Sequence, residues 1–412
     1  MDIQLALGAL ALFGATIFLG YIGNIIFDKT KIPDIVWLLI FGLLVGPVFG
    51  LLDRALFIAV SPLLSAIAIL FILFDAGLNM NIFTIIRGVP RATLLSVMGL
   101  FLSITIIGGI AMLLFKFDLL TGFLLGAILG GTSSAGVISL VASLKIKEEV
   151  KTLLELESII SDPLCIVISM ALIQTITSTV TNDILHTITA SFSIGLVAGA
   201  VAGLIWLFVL DFLKGKPFDY MLTLATLFLL YSFVETISGS GAIAMLFFGI
   251  MLGNGTIITK GLKLKKEISI GPIIKTFNNE ITFFVRSFFF VYLGLISSFN
   301  PIYAIYGIAI SVVAILIRIL AVKISMFGTK ISEMEMNIVK IMTPKGLAAA
   351  VLAQLPIQYG MEQGYLISDI VFIVILSTVI YSAIAIKVFY KPEIKEEEKN
   401  LKTEKVEKKR KL

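Results

Sequence analysis

One cysteine, Cys165, and one histidine, His186, are all that these 412 residues contain of either type. An internal disulfide is therefore excluded, and His186 makes no metal site by itself. Charge is scarce as well: Asp, Glu, Lys and Arg account for 14% of the chain, against 58% hydrophobic residues. With a mean hydropathy of +1.06, the solvent that suits this composition is lipid. The sequence lacks a nucleophile beside a base, a cluster of metal ligands and a phosphate-binding loop, which argues against an enzyme. No signalling domain is recognisable, which argues against a membrane sensor; a cation channel is the other reading from a different class. No cofactor and no nucleic-acid partner are expected.

What is present is a series of apolar windows, each long enough to cross a hydrocarbon core of roughly 30 Å as a helix. The pattern predicts an all-α integral membrane protein with thirteen spans, at 3–27, 33–51, 56–78, 92–115, 119–143, 151–177, 187–210, 219–238, 240–254, 272–298, 301–327, 336–357 and 364–388. Residues 1–390 read as one transmembrane domain. Leu5 to Ile26 has neither a basic stretch ahead of it nor a small-residue cleavage site after it, and is expected to remain as the first span.

The net charge of +5 is informative through its distribution. Loops after odd spans carry Lys29 and Lys31, Arg87 and Arg91, Lys145 and Lys147, Lys214 and Lys216, Lys260 to Lys266, and Lys330. Those after even spans carry only Arg54 and Lys116. Basic loops stay cytoplasmic, so the N-terminus is expected outside and the C-terminus inside. The segment 391–412 mixes Lys, Arg and Glu without apolar periodicity and reads as a disordered cytosolic tail.

Two spans are interrupted by small and polar residues at mid-membrane: Gly130-Gly131-Thr132-Ser133-Ser134-Ala135-Gly136 in the fifth, and Thr343-Pro344-Lys345-Gly346 in the twelfth. By loop parity these spans run in opposite directions, and paired, inverted, broken helices point to a midplane transport site. Close helix packing is the plainer reading of either segment alone.

A charge at the bilayer centre costs roughly 2.5–3.5 kcal/mol on insertion scales. Asp162, within Glu157-Ser158-Ile159-Ile160-Ser161-Asp162-Pro163, has no basic residue beside it in sequence at that depth. Ser158 shares its helix face, and Pro163 leaves the carbonyl of Ile159 without a helical donor. Together they make an oxygen cluster suited to a monovalent cation. The alternative is a permanent pair of Asp162 with Arg286 or Arg318. Glu157, five residues earlier and on another face, is the better candidate for such a pair, since arginine suits a carboxylate. Asp75 guards an inner vestibule or caps an interfacial helix end. Lys345 either neutralises half-helix carbonyl ends at the break in its own span or snorkels toward the cytosol.

Four segments, Phe74-Asp75-Ala76-Gly77, Gly131-Thr132-Ser133-Ser134-Ala135, Glu157 to Pro163 and RSFFFVYLG from Arg286 to Gly294, make the chain resemble the monovalent cation:proton antiporter family, in particular its archaeal Na+/H+ antiporters. The resemblance reaches to about residue 390. It implies thirteen helices with inverted repeats, two unwound helices crossing at the ion site, and a homodimer in the lipid bilayer. It implies that Asp162 binds ion and proton, with Ser158 and Thr132 as further Na+ ligands and Ser161 and Ser133 alongside. Asp75 would be the acid at the inner opening, and Glu157 with Arg318, Arg286 nearby and Lys345 would form the buried charge network. The chain departs from the family at Ser161, where Asn or Asp is usual, and at Ser133, where many members have Asp. Both departures leave Asp162 as the one carboxylate expected at the centre, which implies one proton per cation. The implied mechanism is alternating access, with the fifth, sixth and twelfth spans moving against a dimerisation scaffold.

Overall fold

The computed structural model describes residues 3–390 apart from 31, 52–53, 81–89, 143, 178–183, 214–215, 217, 264–267, 269–270, 299 and 330. Among the described residues the protein is helical and has no strands. In lipid, where water cannot pair with backbone groups, helices satisfy them within one segment. Among the described residues seven helices are long and apolar enough to cross a membrane, and an eighth if a pair bent by 72° counts as one span. Of the other predicted spans, the first is the single helix Ile3–Thr30, and the second, fifth, eighth and twelfth are shorter or broken helices.

The helices are α1 (Ile3–Thr30), α2 (Asp34–Leu43), α3 (Arg54–Asn79), α4 (Pro90–Leu102), α5 (Gly108–Phe115), α6 (Leu119–Ile128), α7 (Ser134–Ala142), α8 (Glu148–Thr177) and α9 (Ile184–Leu213). They continue with α10 (Asp219–Thr236), α11 (Gly241–Gly253), α12 (Gly255–Gly261), α13 (Pro272–Ile296), α14 (Pro301–Ser325), α15 (Glu333–Ile341), α16 (Leu347–Leu352), α17 (Leu355–Gln358) and α18 (Gly364–Phe389). α4 runs into α5 through a wider π turn at Ser103–Ile107, where the Ser103 hydroxyl donates to the Gly126 carbonyl at 2.7 Å. Pro163 lies inside α8 without ending it. The ninth predicted span extends beyond residue 254 as α12, the bend falling where the Asn254 side chain donates to the carbonyls of Met80 and Ile250, both at 2.8 Å.

The helices pack in two groups. α1, α2, α3, α9, α11 and α13 pack on one another, and so do α4, α6, α8, α14 and α18. Glycine sets the distance inside the first group. A Cβ on Gly42 would sit 2.0 Å from the Val291 carbonyl oxygen, and one on Gly77 2.3 Å from that of Leu246. Without a hydrophobic driving force in lipid, such backbone contact is what binds helices. α16 and α8 touch both α3 and, for α16, α13, so the seam between the groups runs past the predicted site.

Basic positions 31, 87, 214, 265, 266 and 330, and the tail 391–412, lie outside the described residues.

Gly42→Ala forces α2 and α13 apart and lowers the thermal midpoint in detergent by an amount equivalent to about 1–3 kcal/mol. Gly109→Ala, where a Cβ meets nothing within 4 Å, leaves the midpoint unchanged or raises it.

Candidate functional site: a crossing of two broken helices

The two interrupted spans are unwound at 129–133, between α6 and α7, and at 342–346, between α15 and α16. They meet. The Ser133 N–H donates to the Pro344 carbonyl at 2.7 Å. A Cβ on Gly346 would lie 2.3 Å from the Ser133 hydroxyl oxygen, and one on Gly136 3.3 Å from Pro344, so the glycines permit the contact. Hydroxyls take over the work of the missing helical bonds. Ser161 Oγ accepts the Thr132 N–H at 3.2 Å, Ser382 Oγ the Thr343 N–H at 3.3 Å, and Thr378 Oγ1 the Lys345 N–H at 3.2 Å. The Ser382 hydroxyl in turn donates to the Ile341 carbonyl at 3.0 Å.

Asp162 stands beside this crossing, approached by the backbone N–H and hydroxyl of Ser134, the first residue of α7. A helix N-terminus carries partial positive charge and unpaired N–H groups, so it suits a carboxylate. Gly131 leaves the carboxylate room, since a Cβ there would sit 3.3 Å from Asp162 Oδ1. A cavity of about 470 Å³ reaches Asp162 from the seam and is lined also by Asp75, Ser133, Ser134, Ile159 and Arg286. The Ile159 carbonyl is the one deprived of its donor by Pro163.

The other predicted ligands are engaged in hydrogen bonds of the crossing itself. The Thr132 hydroxyl donates to Glu157 Oε1 at 2.9 Å and lies 3.2 Å from Ser158 Oγ, which donates to the Leu154 carbonyl at 3.0 Å. Ser161 pins α8 to the first break, its hydroxyl donating to the Ser158 carbonyl at 3.2 Å. Ser133 caps α7, its hydroxyl accepting the Gly136 N–H at 3.1 Å. Thr132, Ser158 and Ser161 are buried and do not line the cavity.

Glu157 is 2% exposed and Arg318 6%, and Arg318 Nη1 lies 3.0 Å from Glu157 Oε1. Arg318 Nε donates to the Val339 carbonyl of α15 at 3.1 Å, so the pair ties α8, α14 and α15 together. Glu157 is also bonded to Thr132, which corrects the expectation that Asp162 is the one carboxylate at the centre. Two more corrections concern Lys345 and Arg286. Lys345 neither snorkels nor serves its own span: crossing places its Nζ 2.8 Å from the Gly131 carbonyl oxygen, at the end of the first broken helix. Arg286 belongs to no network with Glu157; its Nη2 lies 2.9 Å from Asp34 Oδ2. α13 packs on α2, away from the Glu157 pair.

Asp75 lines the cavity as a vestibule residue does, and it is also held at a helix end. Its Oδ1 accepts from Asn278 Nδ2 at 2.5 Å and from Asn79 Nδ2 at 3.2 Å. Ser134 and Asp34 were not expected in these roles. Ser134 was legible as the first residue after a break, where a helix N-terminus forms. Asp34 follows Pro33 at a span end, where carboxylates are ordinary, and nothing in the sequence pairs it with Arg286, 252 positions away. Asp369, 4% exposed, was missed for the same reason; it binds the N–H and hydroxyl of Ser298 and fastens the α13–α14 turn to α18.

Two discontinuous helices crossing at a mid-span, part-buried carboxylate that a cavity reaches are the build of a secondary transporter. The sequence profile of the family described as sodium/hydrogen exchanger, transmembrane, matches residues 14–391, and the chain belongs to that family as a multi-pass membrane protein. Among relatives, "Na(+)/H(+) antiporter 1" of Methanocaldococcus jannaschii is 30% identical over 40% of this chain and 39% of its own length. "Probable Na(+)/H(+) antiporter 2" of the same organism is 25% identical over 71% of this chain and 70% of its own. "K(+)/H(+) antiporter NhaP" of Alkalimonas amylolytica is 29% identical over 39% of this chain and 28% of its own. The first and third of these matches thus span well under half of the relative. The solved structure of the sodium proton antiporter MjNhaP1 from Methanocaldococcus jannaschii at pH 8 superposes with a TM-score of 0.79 over 93% of this chain and all of that one, at 24% identity, which speaks for the fold.

Arg318→Met leaves the Glu157 carboxylate buried without its counter-charge. It destabilises the protein by about 3–5 kcal/mol, read as a fall in thermal midpoint, and adding Glu157→Leu recovers most of the loss.

Proposed function

We propose that the chain exchanges Na+ or Li+ for H+ across the cell membrane, with cation and proton competing for Asp162. The observation that carries this reading is the position of Asp162 at the end of a cavity of about 470 Å³, against the first N–H of a half-helix and beside the deprived Ile159 carbonyl. A deprotonated Asp162 there offers a cation one full charge and neighbouring neutral oxygens; a protonated one offers none of that charge. One group, alternately loaded, gives obligatory exchange.

The seam supports alternating access. α3 and α13 line one wall of the cavity, and α7, α8 and α16 the other. Sliding the second group against the first closes this cavity and opens its counterpart while the crossing, held by its own hydrogen bonds, moves intact. The exchange is electroneutral in this account. Glu157 is paired with Arg318 and Lys345 holds the Gly131 carbonyl, which leaves Asp162 as the carboxylate free to exchange, so one proton replaces one cation. The N-terminus outside, the tail inside and assembly as a homodimer in lipid follow the loop charges and the family resemblance. The relative named as a K(+)/H(+) antiporter favours K+ as a second reading of the cation.

Asp162→Asn keeps size but removes charge and titration, and abolishes cation-driven proton movement in everted vesicles tested with Na+, Li+ and K+ in turn. Exchange that survives it places the site elsewhere. In proteoliposomes the wild-type rate is unaffected by a potassium-diffusion potential. Competition also makes the apparent KM for Na+ rise as pH falls, approaching about tenfold per unit once the proton dominates; a KM that is flat from pH 8 to 6 while the maximal rate falls contradicts it.

A further inference from the structure

We infer that Asp34 sets the affinity of the Asp162 cavity for its cation, by cancelling the Arg286 charge that lines the same cavity. The inference rests on the proposed exchange reaction. Arg286 is fixed in α13 with its side chain 18% exposed and lines the cavity together with Asp75 and Asp162. A cation that passes from Asp75 to Asp162 therefore passes a guanidinium, and a bare guanidinium repels it. Asp34 is not among the residues that line the cavity. It stands behind, 7% exposed at the start of α2, where its Oδ1 takes the Ile35 N–H at 3.0 Å and its Oδ2 takes Arg286 Nη2 at 2.9 Å.

The carboxylate is built into that position. Gly23 of α1 presses on it so closely that a Cβ there would lie 2.9 Å from Asp34 Cβ. Arg286 Nε is buried without a partner, so the bond to Asp34 is the side-chain ion pair that offsets this guanidinium among the described residues. Asp34 is thus a positioning residue that acts through Arg286 on the field in the cavity. A packing pair would matter for stability; this pair matters for charge, and the two roles separate by sign.

The test is Na+/H+ exchange in proteoliposomes with wild type, Asp34→Asn, Arg286→Gln and the double variant, with KM and maximal rate measured separately. Asp34→Asn leaves the guanidinium uncompensated and raises the KM for Na+ about tenfold with the maximal rate within about twofold. Arg286→Gln leaves the carboxylate uncompensated and lowers the KM several-fold. The double variant returns to within about threefold of wild type. If Asp34→Asn does not fold, the opposite shift in Arg286→Gln carries the test alone. An unchanged KM in both single variants, or shifts of the same direction in both, overturns the inference while wild-type exchange upholds the proposed function. A wild-type protein that exchanges none of Na+, Li+ and K+ for protons overturns both.

Discussion

Backbone amides at the centre of a membrane must find partners inside the protein, and two unwound segments persist here because they find them in each other and in hydroxyls. The Ser133–Pro344 hydrogen bond joins the breaks directly. Ser161, Thr378 and Ser382 supply acceptors that a continuous helix would not need. Each unsatisfied group would cost several kcal/mol in hydrocarbon, so the unwound geometry and this set of small polar residues stand or fall together. The glycines are part of the same constraint, because Gly346 can approach Ser133 only without a Cβ.

The crossing also sorts charge. Four ionisable groups, Glu157, Asp162, Arg318 and Lys345, converge on it. Glu157 and Arg318 neutralise one another, and Lys345 lies on the carbonyl end of the opposite half-helix. Asp162 is left facing the cavity, approached by the N–H and hydroxyl of Ser134 and lying in the field of Lys345, but held in no ion pair among the described residues. A carboxylate outside any ion pair stays available to an exchangeable cation, whereas one held by arginine does not. That difference in partner separates the two acids, although Glu157 and Asp162 are five residues apart on one helix.

The sequence made much of this legible and left the rest in tertiary contacts. Hydropathy located the helices, and glycine, proline and hydroxyl residues at mid-span marked both breaks. That Glu157 pairs with an arginine was readable because buried charges need opposite partners and arginine suits carboxylates; Arg318 as that arginine was what the family resemblance implied. What stayed hidden was which broken helix Lys345 serves and which helix Arg286 joins: Lys345 lies on the other broken helix and Arg286 belongs with α2. Residues near span ends, Asp34 and Asp369, carry buried roles that a one-dimensional depth estimate assigns to ordinary interfacial acids. The two helix groups on either side of the cavity were likewise invisible until packed, and their seam is where motion is cheapest, since fewer contacts cross it.

The central claim is that a single carboxylate holds either a proton or a cation. The most direct measurement is proton release on Na+ binding to the purified protein, by calorimetry in two buffers of different ionisation enthalpy. Where Asp162 is protonated before the titration, the account predicts close to one proton released for each Na+ bound. Saturable Na+ binding that releases no proton at any pH contradicts it.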